Sequence, residues 1–373
     1  MECSKKRESN LEMLRIVAML LIVAQHIVER GVEGGGWTAL KVPFSFNFVT
    51  TVIIGIWGQL GVLLFVIISS WFLVDRQGIK SKKILSLVFQ TWSTCVVLIV
   101  VFLFFKPEML NFKLIVKELL TPAVKQYWFI TTFLVFYLIV PLLQKSIAGL
   151  SNIALRNICI VLTMIIPVYN YFSTNVGDTL ADFCYIFYLV AYLKRNKDNF
   201  FEKYNKLGFA GMALIVSILL LVKIVLPDSI LGKNGTDLFM KLFLALRGRT
   251  LLMVIISVCI FYYFKNLKFS YYKVINIIGG STFGVYIIHE NFLLRGDGMK
   301  SFLWDGVFHM DWWYNNSFCF FIIHIIVTIS VFAVCIVIDL LRKNTVGKLF
   351  DKNKKINEFC IRFDDWYSNQ LFK

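Results

Sequence analysis

Residues 13–28 read Met-Leu-Arg-Ile-Val-Ala-Met-Leu-Leu-Ile-Val-Ala-Gln-His-Ile-Val, an apolar run interrupted by Arg15 and His26. An isolated charge at mid-bilayer costs roughly 2.5–3.5 kcal/mol on insertion scales, so charges kept there usually face something polar. Eleven positions separate Arg15 from His26, about three helical turns plus roughly 20°, which projects both from one face about 16 Å apart along the axis. That face is expected to line a polar cavity.

The rest of the chain sets this segment in a membrane. Of 373 residues, 58% are hydrophobic and only 17% charged, and the mean hydropathy of +0.71 excludes a soluble globular domain. Apolar stretches near the length that spans a bilayer occur at 11–29, 49–74, 84–105, 127–144, 153–172, 179–193, 207–226, 238–263, 274–293 and 317–341. The expected fold is all-α: a multi-pass bundle of about ten transmembrane helices in the plasma membrane. One membrane domain fills residues 1–345, and a basic cytoplasmic tail occupies 346–373. No Pro/Ser-rich linker or internal repeat divides the chain, and the missing repeat weakens a transporter reading.

The net charge of +16 has no basic domain of its own, so it reads as an orientation signal and not as a nucleic-acid surface. With a cytoplasmic N-terminus, about 25 basic residues fall inside and about 10 outside, the bias of the positive-inside rule. Both termini are expected in the cytoplasm. Trp304, Phe308, Trp312, Trp313 and Tyr314 enrich the last external connection and read as an interfacial belt or as sugar-stacking rings.

Four stretches carry a more specific pattern. The first is Asn-Leu-Glu-Met-Leu-Arg-Ile-Val-Ala-Met at 10–19 followed by His26, and the second is Gly61-Val62 through Phe65 to Ser69-Ser70-Trp71-Phe72. The third is Tyr127-Trp128-Phe129 with Tyr137 and Pro141, and the fourth runs from Ser281 through Tyr286 to His289. In this order they resemble the membrane acyltransferase-3 family, whose first helix carries an arginine, ten intervening residues and a histidine. Two departures stand out: Ser70 replaces the family's glycine, and Asp75-Arg76-Gln77 with Lys80, Lys82 and Lys83 stands where many members carry an arginine pair. Lysines hold phosphates as point charges, without the bidentate geometry of arginine.

The resemblance implies transfer of an acyl group, commonly acetyl, from cytoplasmic acetyl-CoA to a sugar hydroxyl at or beyond the outer surface. The acceptor would be a polysaccharide or its lipid-linked precursor, and no metal is required. His26 would act as general base or as acyl-carrying nucleophile, and Arg15 would meet the donor within the membrane. Arg76, Lys82 and Lys83 form a basic inner rim for the donor's phosphates. His289, at a depth like that of His26 and followed by Glu290, serves as a second acid or base, as an orienting partner, or as a packing residue.

Other residues read in two ways. Arg247 and Arg249 interrupt the eighth apolar stretch and either bind donor or acceptor or mark a loop between two shorter segments. Trp128 either anchors at the outer interface or stacks on a sugar. Taken alone, Glu12 and Arg15 also read as a snorkelling pair. His324 lacks a matching motif and reads as structural. The sequence has no Cys-x-x-Cys, His-Glu-x-x-His, Walker or Gly-x-Ser-x-Gly pattern. A transporter or flippase for a lipid-linked sugar or other anion, and a glycan polymerase, are the competing readings. Neither requires the Arg15–His26 spacing together with a basic inner rim.

Overall fold

A chain in hydrocarbon has no water to satisfy its amides, so apolar stretches close their hydrogen bonds locally as helices. The computed structural model describes residues 8–32, 46–76, 78–121, 125–172, 179–225, 248–268, 270–296 and 301–372. Among the described residues the chain is helical without strands, and each of the ten apolar stretches carries helix. In chain order, α1 spans Ser9–Gly31, α2 Phe46–Gly55, α3 Gly58–Leu73, α4 Ser81–Phe105, α5 Phe112–Leu119, α6 Trp128–Ala148, α7 Asn152–Phe172, α8 Thr179–Arg195 and α9 Phe200–Lys203. They are followed by α10 Leu207–Val225, α11 Leu251–Asn266, α12 Lys273–Gly279, α13 Thr282–His289, α14 Phe292–Arg295, α15 Met310–Asn316, α16 Phe320–Arg342, α17 Lys348–Lys352 and α18 Lys354–Phe372.

Among the described residues, five helical spans are long and apolar enough to cross a membrane: Ser9–Gly31, Phe46–Leu73, Ser81–Phe105, Trp128–Ala148 and Phe320–Lys352. Shorter apolar helices cover Asn152–Val168, Leu207–Leu221 and Leu251–Asn266. The membrane architecture expected from composition is therefore present, with fewer full-length spans than the ten apolar stretches.

Two stretches that read as continuous helices are broken, and glycines explain both. Stretch 49–74 divides into α2 and α3 before Gly58, where an added Cβ would lie 1.5 Å from Gln25 Oε1 of α1. Stretch 274–293 divides into α12, α13 and α14. Gly279 closes α12 against Glu12, whose Oε2 would stand 2.5 Å from an added Cβ. Close approach of small residues is the usual means of packing helices where lipid offers no hydrophobic drive. The second break leaves Glu290 and Asn291 between α13 and α14, with Asn291 Oδ1 accepting from Leu293 N at 3.0 Å to cap α14. Residues 238–247 of the eighth stretch lie outside the described residues, and its helix begins at Leu251 after Thr250.

Helix α1 packs against α2, α3, α11, α12, α13 and α16, so its side chains point into protein on several sides. Cross-links between helix ends define a basic end of the bundle. The Asn10 amide donates to Lys265 O at 2.9 Å, Gln144 donates to Leu73 O at 2.6 Å, and Lys194 donates to Trp71 O at 2.5 Å. The starts of α1 and α4 and the ends of α3, α6, α8 and α11 gather there with Arg76, Lys80, Lys82 and Lys83. His26, Trp128, Arg249 and Glu290 sit toward the other end. Outward faces of α4, α7 and α16 expose large apolar side chains, including Phe104, Met164 and Ile326, which suits contact with lipid. The segment expected as a tail is helical and docked: Ser81 N donates to Asp364 Oδ1 at 2.8 Å and Tyr367 OH donates to Leu138 O at 2.6 Å.

Candidate active site

His26 lies near the end of α1, and α13 brings its last residue, His289, against it. His26 Nδ1 stands 2.8 Å from His289 Nε2, and His289 Nδ1 stands 2.6 Å from the carbonyl oxygen of Val285. A carbonyl only accepts, so His289 Nδ1 carries the hydrogen and, in the neutral ring, Nε2 accepts. His26 must then donate through Nδ1–H, which leaves the lone pair of its Nε2 unengaged by His289. The chain of contacts thus assigns the tautomers of both rings.

Glu290 completes the group. Its Oε1 is 3.4 Å from His26 Nδ1, while Oε2 meets Arg295 at 2.7 Å and Arg30 at 3.8 Å. His289 is fully buried and Glu290 nearly so, whereas His26 keeps 12% of its side chain exposed. His26, His289 and Glu290 also place three potential metal-ligating atoms within 4.8 Å of one another. The two imidazoles already engage each other and two guanidiniums hold the carboxylate, so a cation there would have to displace these contacts. The arrangement therefore fits proton handling better than ion binding.

His26 and Glu290 open into a cavity of about 70 Å³. Its walls are Met19, Ile22, Val62, Phe65, Trp128, Phe129 and Phe283, with Tyr286 beside the histidine and Gln25, Glu29, Arg30 and Gln59 adding polar groups. His324 is fully buried, with Nε2 2.9 Å from Ala24 O of α1.

The remaining expected site residues are dispersed. Arg15 pairs with Glu12 and places its guanidinium 5.8 Å from the Phe72 ring, and it is absent from the lining of the His26 cavity. Trp128 lines that cavity, and Arg249 lies 5.8 Å from its ring while pairing with Asp182 at 2.9 Å. Arg247 lies outside the described residues. Arg76 lines a second cavity, of about 460 Å³, between the basic ends of α3, α6 and α8 with Asp75, Gln144, Lys145, Lys194 and Arg195. Lys82 and Lys83 lie apart from that lining at the start of α4, where Lys82 Nζ reaches Asp351 O at 3.4 Å.

Sequence reasoning missed Arg30, Arg295 and Glu118. Arg30 stands four residues after His26 on the same face of α1, whereas Arg295 lies five residues beyond Glu290, across the break between α13 and α14, and meets it only through the fold. Glu118 of α5 is fully buried. It accepts from Gln126 at 2.9 Å and from Asn291 at 2.8 Å, and burial pushes its carboxyl above the usual carboxylate range. Through Asn291, which follows Glu290 directly, helix α5 is fastened to the site.

Against known proteins, the chain matches the profile of a family described as an acyltransferase domain over residues 8–340. No protein of curated function and no solved structure matches it.

Proposed function

Since the chain belongs to the acyltransferase-3 family, we propose that it is an integral membrane O-acyltransferase. In this reading it moves an acetyl group from cytoplasmic acetyl-CoA to a hydroxyl of a cell-surface polysaccharide or its lipid-linked precursor. The observation that carries the proposal is the His26–His289 contact, which leaves His26 Nε2 able to accept a proton at the edge of a cavity.

The chemistry follows from these positions. His26 Nε2 takes the acceptor hydroxyl's proton as the oxygen attacks the thioester carbonyl. The tetrahedral intermediate collapses, the carbon–sulfur bond breaks, and the CoA sulfur receives the proton back from His26. While His26 is an imidazolium, its Nδ1–H remains directed at His289 and lies 3.4 Å from the Glu290 carboxylate, which stabilises the transient charge. General bases so placed contribute about 10²- to 10⁴-fold in rate. His289 acts through His26 and is a positioning residue.

A cavity of about 70 Å³ walled by Met19, Ile22, Val62 and Phe65 favours a short acyl group. Trp128, Gln25 and Gln59 offer a ring face and amides to a sugar. The cavity holding Arg76, Lys145, Lys194 and Arg195 supports a donor phosphate site at the basic end. Its arginines supply the geometry that Lys82 and Lys83 lack. Family membership argues against the transporter and polymerase readings.

The test uses purified protein in nanodiscs with radiolabelled acetyl-CoA and a lipid-linked glycan extract. Wild type is expected to release CoA and label the extract, and His26→Ala to do neither. Label transfer by His26→Ala at the wild-type rate would remove His26 from the mechanism. A wild type that ignores every acyl-CoA offered, with competent acceptor present, would remove the donor assignment.

A further inference from the structure

Helix α18 carries three differently built faces. Cys360, Phe363 and Tyr367 form the packed one: Cys360 O accepts from Ser81 Oγ at 3.1 Å, and Tyr367 OH reaches Leu138 O. The helix is thereby laid across the starting residues of α4 toward α6, at the basic end of the bundle. Lys355, Phe359, Arg362 and Trp366 form a second stripe, since steps of four, three and four residues at 100° each keep them within about 60° of one another. On that stripe Phe359 is 57% exposed and Trp366 56% exposed. Asn357 and Ser368 lie on the opposite side; Ile361 is the apolar exception there.

Half-exposed aromatics alternating with cations on a docked helix are a poor surface for water and a good one for a membrane interface. The surroundings point the same way. Leu341 at the end of α16 and Leu349 on α17 are 62% and 74% exposed, so the apolar outer surface of the spanning helix continues toward α18. From Arg342 to Lys373 the chain carries eight basic and four acidic residues, a surplus that complements anionic headgroups.

We propose that α18 is an interfacial helix whose Lys355–Phe359–Arg362–Trp366 stripe sits in an anionic phospholipid surface at the basic end of the bundle. Phe359 and Trp366 enter the boundary between headgroups and acyl chains, and Lys355 and Arg362 meet lipid phosphates. Because Asp364 and Cys360 bind Ser81, lipid engagement of α18 also fixes the starting turn of α4. The inference does not depend on the chemistry at His26.

The test uses the full chain in nanodiscs of phosphatidylcholine with or without phosphatidylglycerol, labelled with bimane at Trp366→Cys or, as a water-side control, at Ser368→Cys. The label at 366 is expected to be quenched by brominated acyl chains and to be several-fold less sensitive to aqueous iodide than the label at 368. Amide exchange over 354–372 in unlabelled wild type should slow when phosphatidylglycerol is added, and Lys355→Gln with Arg362→Gln should abolish that slowing. Equal iodide access at both positions would overturn the proposal. Lipid quenching without any response to phosphatidylglycerol would overturn its anionic partner, and concentration-dependent shielding in detergent would assign the stripe to a second copy of the chain.

Discussion

At His26 one side chain has two neighbours with separable duties. His289 fixes the ring and Glu290 supplies compensating charge, so their loss should read out differently. His26→Ala is expected to lower kcat by about 10²- to 10⁴-fold. His289→Gln, whose amide oxygen can accept from His26 Nδ1–H, should retain more activity than His289→Ala, with KM for the donor unchanged in both; steady-state kinetics check the order. Glu290→Gln leaves Arg295, whose side chain is 12% exposed, without its carboxylate. Breaking such a pair costs about 3–5 kcal/mol, so a lowered thermal midpoint in detergent should accompany the loss of activity. His26 was legible because a titratable residue in an apolar run is conspicuous. Arg30 and Arg295 were not, because a charge at a helix end is ordinary until the fold turns both toward one carboxylate.

The elements show where sequence periodicity stops being sufficient. Hydropathy alone merges α2 with α3 and α12 with α13, since a two-residue interruption scarcely alters an apolar window. The breaks are set by neighbours: Gln25 crosses over Gly58, and Glu12 lies against Gly279. Gly58→Ala should therefore displace Gln25, one residue from His26, and reduce turnover more than it reduces stability. A turnover equal to wild type would show that α1 shifts to accommodate the methyl. Helix α5 lies in a connection between apolar stretches, where a glutamate reads as surface, yet Glu118 is buried. Its folded-state pKa is raised by burial, so the stabilisation tied to the protonated form is fully present below the unfolded value and is lost as pH rises through the folded one. Thermal midpoints across that window should fall for wild type relative to Glu118→Gln, which stays neutral. Parallel curves would place the ionisation elsewhere.

For the whole molecule, composition sufficed for a helical membrane protein, and the order of four short motifs sufficed for the family. The meeting of His26 with His289 across 263 positions was suggested only by their similar expected depth. Of the cavity that gathers Arg76, Lys145, Lys194 and Arg195, only Arg76 stood out in the sequence, because the residues come from three separate helix ends and the other three each look like a loop cation. If basic residues do set the orientation, a fluorescent protein fused to either terminus should fold and glow in the cytoplasm, and alkaline phosphatase fused there should stay inactive. An active phosphatase at either terminus would invert the bundle.

Val285 meets the histidine pair through its carbonyl oxygen. Exchanging valine for isoleucine or leucine at 285 leaves that oxygen in the peptide unit, so the protonation pattern of both imidazoles is inherited through the backbone path of α13. Drift in side chains around the site can therefore reshape the cavity while the hydrogen-bonding pattern of the two imidazoles stays the same.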